Sequence, residues 1–302
     1  MATTTVRRRR TARAAGLATM AMVLGFATIP AQAAPPPDAN YVALGDSYTA
    51  GTGAGEFSPS PTCLQTVGGY VDVVGAMGRV DQVANEACHG ALLSPSSPLY
   101  VPGSSPTTVV EQIAFLVGTG KLTADTDLVS ITAGANDIGF SGILFTCAAQ
   151  PQNCQAALPS EANLLTLRQA LSATYGQLHL RAPDAKIAVL GYPHLFDATR
   201  AVEGLNIDPA ILAAMNVATD QLNATIRLAA TDAAAALKAD IVFIDVTKRF
   251  LGHEANSADP WLYYDRTSPF DPRSFHPTAT GHAEGYAPAL VSAAKPAQLA
   301  AR

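Results

Sequence analysis

Five apolar runs recur along the chain: YVALG (41–45), QVANEA (82–87), DLVSITAG (127–134), KIAVLGYP (186–193) and DIVFIDVT (240–247). Several are apolar without interruption. A strand with one wet face alternates apolar and polar residues. A strand buried on both faces does not, and such burial belongs to parallel sheets whose crossover helices cover both sides. QVANEA is the poorest of the five, because polar residues break it. Helical stretches fill the intervals. GGYVDVVGAMG (68–78) is short, and TTVVEQIAFLVG (107–118) carries its apolar positions along one side. A longer helix is expected to start at Ser160 as N-cap and to stop at Pro183. An alanine-rich one is capped by Asp208, with Pro209 suited to its first turn. The last, TATGHAEGYAPALVSAA (278–294), is read as a helix opened by Pro277. This repeated β-α order predicts an α/β fold with helices on both faces of one sheet. Ligands bind such sheets beyond the carboxyl ends of the strands. Three segments stand outside the pattern as irregular: 91–106, 141–161 and 251–275. Long irregular loops in a compact domain often carry function.

The first 33 residues read differently. They hold Arg7 to Arg10 and Arg13, then the apolar LATMAMVLGFATIP, then AQA. A basic start, a short apolar core and a small-x-small site make a secretory signal peptide, with cleavage expected after Ala33. Residues 34–302 are then one domain, exported from the cell. The apolar core is too short to span a bilayer, and no second run of spanning length follows, so no stable membrane insertion is expected. After removal of residues 1–33 the chain keeps 14 basic against 24 acidic residues, a net charge of −10. An anionic chain without a basic patch argues against nucleic acid as a partner. Export and an even count argue for disulfides among Cys63, Cys88, Cys147 and Cys154. Three pairings are open, and the local scheme, Cys63–Cys88 with Cys147–Cys154, is the simplest. No CxxC or His–Cys cluster at ligand spacing points to a metal.

Ser47, in GDSYTAG (45–51), falls where the first strand should end. A serine at such a turn is ordinarily a cap. As a nucleophile it would need a base. Of six histidines, His179 sits among apolar helix residues and reads as structural, whereas His276, in SFHPTATGH, precedes the last helix at the rim of the sheet. An acid commonly orients such a histidine. Asp271 is the nearest, with Asp259 and Asp265 further off. Three residues before His276 stands Arg273, which cannot be the acid, although a backbone carbonyl can accept the Nδ1 proton. Asn136, in ITAGANDIGF, is either a turn residue or a donor to a developing oxyanion. Gly90, in NEACHG, would let a substrate approach the backbone closely. Ser47 is not in a GxSxG elbow. GTGAGE (51–56) lacks the GK[ST] of a phosphate loop, and HExxH is missing.

Taken in order, GDSY, a glycine after the second strand, GAND (134–137) and a histidine before the last helix resemble the SGNH (GDSL-type) hydrolase superfamily over nearly all of residues 40–291. GDSYTAG, GANDIGF, GYPHLF and SFHPTATGH are similar to stretches of its secreted actinobacterial (Streptomyces-type) lipases and esterases. The resemblance implies a flavodoxin-like three-layer α/β/α sandwich with five parallel strands. It also implies a carboxylic ester hydrolase without metal or cofactor. Ser47 would be the nucleophile and His276 the general base and acid. Ser47 N–H, Gly90 N–H and the Asn136 side chain would form the oxyanion hole. Many members carry an acid three residues before the histidine. With Arg273 there, the resemblance implies a Ser–His dyad in which the Arg273 main-chain carbonyl holds the imidazole, Asp271 being less favoured. The substrate would be an ester or lipid met by transient contact with a lipid interface. Phospholipid or an acetylated carbohydrate is the alternative, and a protease or a non-enzymatic binding module competes less well. Leu92, Leu93, Leu99, Tyr100 and Val101, and the group around Trp261, Leu262, Tyr263, Tyr264 and Phe270, either line an acyl channel or pack down on the sheet. Oligomeric state is not legible.

Overall fold

The computed structural model describes residues 37–58, 63–202, 207–265, 267–268 and 271–301. The expected signal peptide and Phe270 therefore lie outside the described residues. Strands β1 (Ala39–Gly45), β2 (Val80–Asn85), β3 (Leu128–Thr132), β4 (Lys186–Leu190) and β5 (Ile241–Ile244) form one parallel sheet in the order β2-β1-β3-β4-β5. All of β3, and all of β1 except Asn40, is buried, which is why those runs are continuously apolar. β2 is an edge strand with only Val80 buried, and this explains the polar residues of QVANEA.

The helices are α1 (Ser47–Ala50), α2 (Tyr70–Gly75), α3 (Val109–Gly118), α4 (Phe140–Ala149), α5 (Cys154–Ala157), α6 (Glu161–Arg181), α7 (Pro209–Leu237) and α8 (Ala287–Ala294). A π-helical turn, Gly281–Tyr286, leads into α8. α6 packs between α3 and α7 on one face, while α2 packs on α8 and the π-turn on the other. Right-handed crossovers require this division: the chain steps from β1 to β2 in one direction and from β3 through β5 in the other. The result is the three-layer α/β/α sandwich. Helix starts follow local chemistry. Ser160 caps α6 reciprocally with Asn163, and Asp208 accepts the Ala210 N–H with Pro209 at the first position of α7.

Two expectations need correction. Segment 141–161 is not irregular, because it holds most of α4 and all of α5, joined by the Cys147–Cys154 disulfide. Only Ile143 and Cys147 of α4 are buried, so no amphipathic stripe announces the helix. Nor does Pro277 open the last helix. It sits in an antiparallel bridge with Leu262, and residues 261–263 bond to 275–278 through Tyr263 N–H to His276 C=O (2.8 Å), Phe275 N–H to Tyr263 C=O (2.7 Å) and Thr278 N–H to Trp261 C=O (2.8 Å). The second disulfide, Cys63–Cys88, ties the loop after α1 to the end of β2, completing the local pairing.

The end of β1 meets β3 at very short range. Gly45 has φ +129°, and a Cβ there would lie 2.2 Å from the Thr132 carbonyl oxygen. Only glycine permits both the conformation and the approach. Gly45→Ala is expected to destabilise the protein by about 2–3 kcal/mol, read as a lowered urea midpoint. A wild-type midpoint would refute this account of the strand end.

Candidate active site

β1 is the switch point of the sheet: the connections to its two neighbours leave in opposite directions, opening a crevice above its carboxyl end. Ser47, Gly90, Asn136 and Tyr192 follow β1, β2, β3 and β4, so all four converge on that crevice.

Asp46 organises it. This buried residue is the N-cap of α1. Its carboxylate accepts the Tyr48 N–H (3.0 Å), the Thr132 hydroxyl at the end of β3 (2.6 Å) and the Tyr192 hydroxyl beyond β4 (2.5 Å). Burial pushes the Asp46 carboxyl up to about 6, against the pull of these donors, so it is mainly ionised at neutral pH. Burial and the adjacent Asp46 charge raise the Tyr192 phenol, which therefore stays a donor. The same hydroxyl accepts the Ala135 N–H (3.5 Å), next to Asn136.

His276 brings its Nε2 to 2.7 Å from the Ser47 hydroxyl oxygen. Its Nδ1 faces the carbonyl of Ser274 at 3.0 Å. A carbonyl can only accept, so Nδ1 carries the proton and Nε2 is the bare acceptor toward Ser47. The expected carbonyl was that of Arg273. That oxygen instead accepts the His276 backbone N–H (3.0 Å), although both carbonyls favour a protonated ring. The difference is one of turn geometry. Phe275 takes φ +63°, the left-handed region, and its carbonyl accepts the Tyr48 hydroxyl (2.7 Å). The loop holding the imidazole is thus tied to the residue beside Ser47.

None of the three acidic candidates holds His276. Asp271 grips the Arg273 guanidinium at 2.7 and 2.9 Å and accepts its backbone N–H at 2.8 Å, and the Arg273 bonds hold its carboxyl down to about 2. Asp259 pairs with His253 (3.3 Å), and Asp265 bonds Thr267. Burial, then the nearby His89 imidazole, push the His276 pKa down to about 3, so the ring is neutral at physiological pH. A serine hydroxyl on a neutral, oriented imidazole is what proton abstraction by a general base requires.

Of the three expected donors, Ser47 and Asn136 line the crevice, and Gly90 directly follows His89, which also lines it. The Ser47 N–H is the first of α1 and has no intrahelical partner. Gly90 sits in a turn at φ +77°, and among the described residues its N–H has no acceptor. One N–H of the Asn136 amide bonds the Ala91 carbonyl (3.0 Å), which leaves the other for the crevice. Asp137 accepts the Leu93 N–H (3.1 Å), so the GAND turn and the Gly90 turn are clamped together.

A cleft of about 460 Å³ opens from Ser47, Asn136 and His276. Its apolar wall is formed by Phe140, Leu144, Leu195, Leu222 and Phe275. Among the described residues, those proposed from sequence as channel lining do not form it. Leu92 and Leu93 are buried, and Trp261 stacks on His253 at 3.7 Å and meets Phe250 edge-on. Sequence reasoning missed α4 as a wall. The signal was available, since residues 138–160 contain no Asp, Glu, Lys or Arg. It also missed the Asp46–Tyr192 bond, which no spacing announces. Among the described residues no group of three His, Cys, Asp or Glu side chains is disposed to hold a metal, and no helix is long and apolar enough to cross a membrane.

The chain matches the GDSL-like lipase/acylhydrolase family over residues 43–284. It is 34% identical to a lipase of Streptomyces rimosus across 94% of this chain and 98% of that one. It is 33% identical to Lipase 1 of Streptomyces coelicolor across 92% and 95%. Its fold is similar to that of the extracellular lipase from Streptomyces rimosus, with a TM-score of 0.68 and 32% identity over 84% of this chain and 99% of that one. It is also similar to phospholipase A1 from Streptomyces albidoflavus NA297, with a TM-score of 0.69 and 31% identity over 86% and 100%. With a match running from β1 to the π-turn and relatives aligned almost end to end, the chain belongs to the GDSL-like lipase/acylhydrolase family and is a carboxylic ester hydrolase.

Proposed function

We propose that this protein is an exported lipase or esterase that forms an acyl-enzyme on Ser47 with His276 as its only proton carrier. The observation behind this reading is the 2.7 Å approach of His276 Nε2 to the Ser47 oxygen, with Nδ1 fixed by a carbonyl. As Ser47 Oγ attacks the ester carbonyl carbon, its proton passes to Nε2. The carbonyl electron pair moves onto oxygen, facing the N–H groups of Ser47, Gly90 and Asn136. The C–O bond to the alcohol then breaks, and the Nε2 proton goes to the departing oxygen. Water repeats the sequence on the acyl carbon, freeing Ser47. The Ser274 carbonyl accepts the Nδ1 proton throughout and brings dipole rather than full charge to the imidazolium.

The apolar wall of the cleft supports an acyl chain longer than acetyl, and so a lipid over an acetylated carbohydrate. Similarity to a phospholipase A1 keeps phospholipid as the second reading. Export is supported by the signal-like residues 1–33, the two disulfides and the relative described as extracellular. Transient contact with an uncharged lipid surface is supported by composition around the cleft. Residues 87–110, like 138–160, contain no Asp, Glu, Lys or Arg. The two stretches adjoin at Leu99 and Gly139, whose would-be Cβ lies 3.5 Å from Leu99 Cδ1, and Leu99 and Val101 are 48% and 55% exposed.

Ser47→Ala and His276→Ala are each expected to abolish turnover of p-nitrophenyl butyrate in protein whose circular dichroism is unchanged. Normal turnover by either variant would end the proposal. Asn136→Ala should lower kcat about 10²–10³-fold with KM nearly constant; a loss confined to KM would remove its oxyanion role. Because the pKa of His276 is depressed, the base stays neutral as pH falls through the usual imidazole range. His276 should therefore add no acid limb to kcat/KM near pH 6.5, any limb near 6 belonging to Asp46, and a midpoint at or above 6.5 would contradict the burial argument. An acyl-length series that includes triacylglycerol and phosphatidylcholine vesicles should peak beyond four carbons, with vesicle activity insensitive to salt. A maximum at acetate would return the acetyl esterase reading.

A further inference from the structure

His89 lies in the cleft, and the ester-cleavage chemistry above gives it no task. Its backbone is held twice: its N–H bonds the Cys63 carbonyl (3.0 Å), and the preceding Cys88 is disulfide-bonded to Cys63. Its ring is held by the Thr52 hydroxyl, 3.3 Å from Nδ1. Thr52 has one hydroxyl proton, and the Leu64 carbonyl, 3.3 Å away, can take only that proton. The arrangement that satisfies all three groups has Nδ1–H donating to Thr52 and Nε2 as a bare acceptor. Among the described residues nothing is bonded to that Nε2, and the ring lines the cleft. A fixed imidazole with an unused acceptor in a substrate cleft is equipped to recognise a donor on the substrate.

The side of the substrate it meets follows from the chemistry. His276 must reach the departing oxygen to protonate it, so the alcohol leaves on the imidazole side of Ser47. His89 flanks that side, with its ring centroid 5.1 Å from that of His276, and it directly precedes the oxyanion residue Gly90. The apolar wall of the same cleft comes from Phe140 and Leu144 of α4, Leu195, Leu222 and Phe275, whose side chains offer no hydrogen-bonding group, so His89 is a polar contact left for the alcohol. We propose that His89 is a specificity residue for the leaving alcohol, accepting a hydrogen bond from a hydroxyl on the carbon next to the ester-bearing carbon. The preferred substrates are then monoesters of vicinal diols and polyols, whether from partial glycerides or from sugars. This inference rests on the hydrolase reading.

The test compares esters that share a butyryl group. 2-Hydroxypropyl butyrate should exceed propyl butyrate in kcat/KM by about five-fold, the worth of one hydrogen bond of about 1 kcal/mol. 2-Methoxypropyl butyrate should show no gain, because it has no proton to give. His89→Phe should bring the hydroxy-to-deoxy ratio to about one, and His89→Gln, whose amide oxygen can accept, should restore part of it. If His89→Phe fails to fold, the glutamine variant and the methoxy ester still decide the matter. A ratio of one in the wild type, a ratio kept by His89→Phe, or equal gain from the methoxy ester would each overturn the proposal. If no butyrate ester is cleaved at all, the hydrolase reading fails instead. Comparing monobutyrin with a monobutyrylated glucose separates a glyceride source from a sugar source.

Discussion

One buried carboxylate holds the site together. Asp46 joins the end of β1 to β3 through Thr132 and to β4 through Tyr192, and it caps the helix that starts with Ser47. A buried charge without partners is costly, so three donors aimed at it are strong constraints on where three strand ends lie. The chain extends the same web. Asn223 of α7 bonds both the N–H and the C=O of Tyr192 (2.9 and 2.8 Å), fixing the phenol that reaches Asp46. The Thr132 hydroxyl also meets the Thr49 hydroxyl of α1 at 2.8 Å. Displacement of any one of these elements would cost the buried carboxylate one of its three donors. That makes the position of Ser47 a property of the whole sheet rather than of its turn.

The imidazole is held on different terms. Among the described residues no carboxylate reaches it, and Asp271, which is near in sequence, is bound to Arg273. A carbonyl dipole at 3.0 Å selects the tautomer but adds less stabilisation to an imidazolium than a full charge would. The surroundings match this economy. The His276 ring is neutral at rest, and burial with two neighbouring imidazoles keeps it so. Orientation therefore carries the burden, and the loop is correspondingly well tied: Tyr263, Tyr48 and the antiparallel bridge to Leu262 all grip residues 275–277.

Most of the sheet was legible because burial on both faces leaves an uninterrupted apolar record, as in YVALG and DLVSITAG. Ser160 and Asp208 marked helix starts because a cap is a local event. α4 was not legible as a helix, since a helix lying over a cleft with little buried surface leaves no periodic stripe, and only its lack of charge marked it. Pro277 misled for a related reason. Proline suits a first helical turn, but it also suits a bridge that asks no N–H of it, and only the pairing with Leu262 distinguishes the two. The carbonyl at His276 shifted from Arg273 to Ser274 because the left-handed turn at Phe275 cannot be read from residue type.

Sequence alone determined the class of fold, through periodicity and the repeated β-α order. It left three disulfide pairings open with the local one simplest, and it joined Ser47, Gly90, Asn136 and His276 in one site only through resemblance to a known family. Tertiary structure alone decided which carbonyl holds the imidazole, which helix walls the cleft, and that Asp46 binds three strand ends. Each depends on groups distant in the chain meeting at hydrogen-bond range, Asp46 and Tyr192 across 146 residues among them. No local pattern encodes such a distance, because it is set by the packing of every element in between.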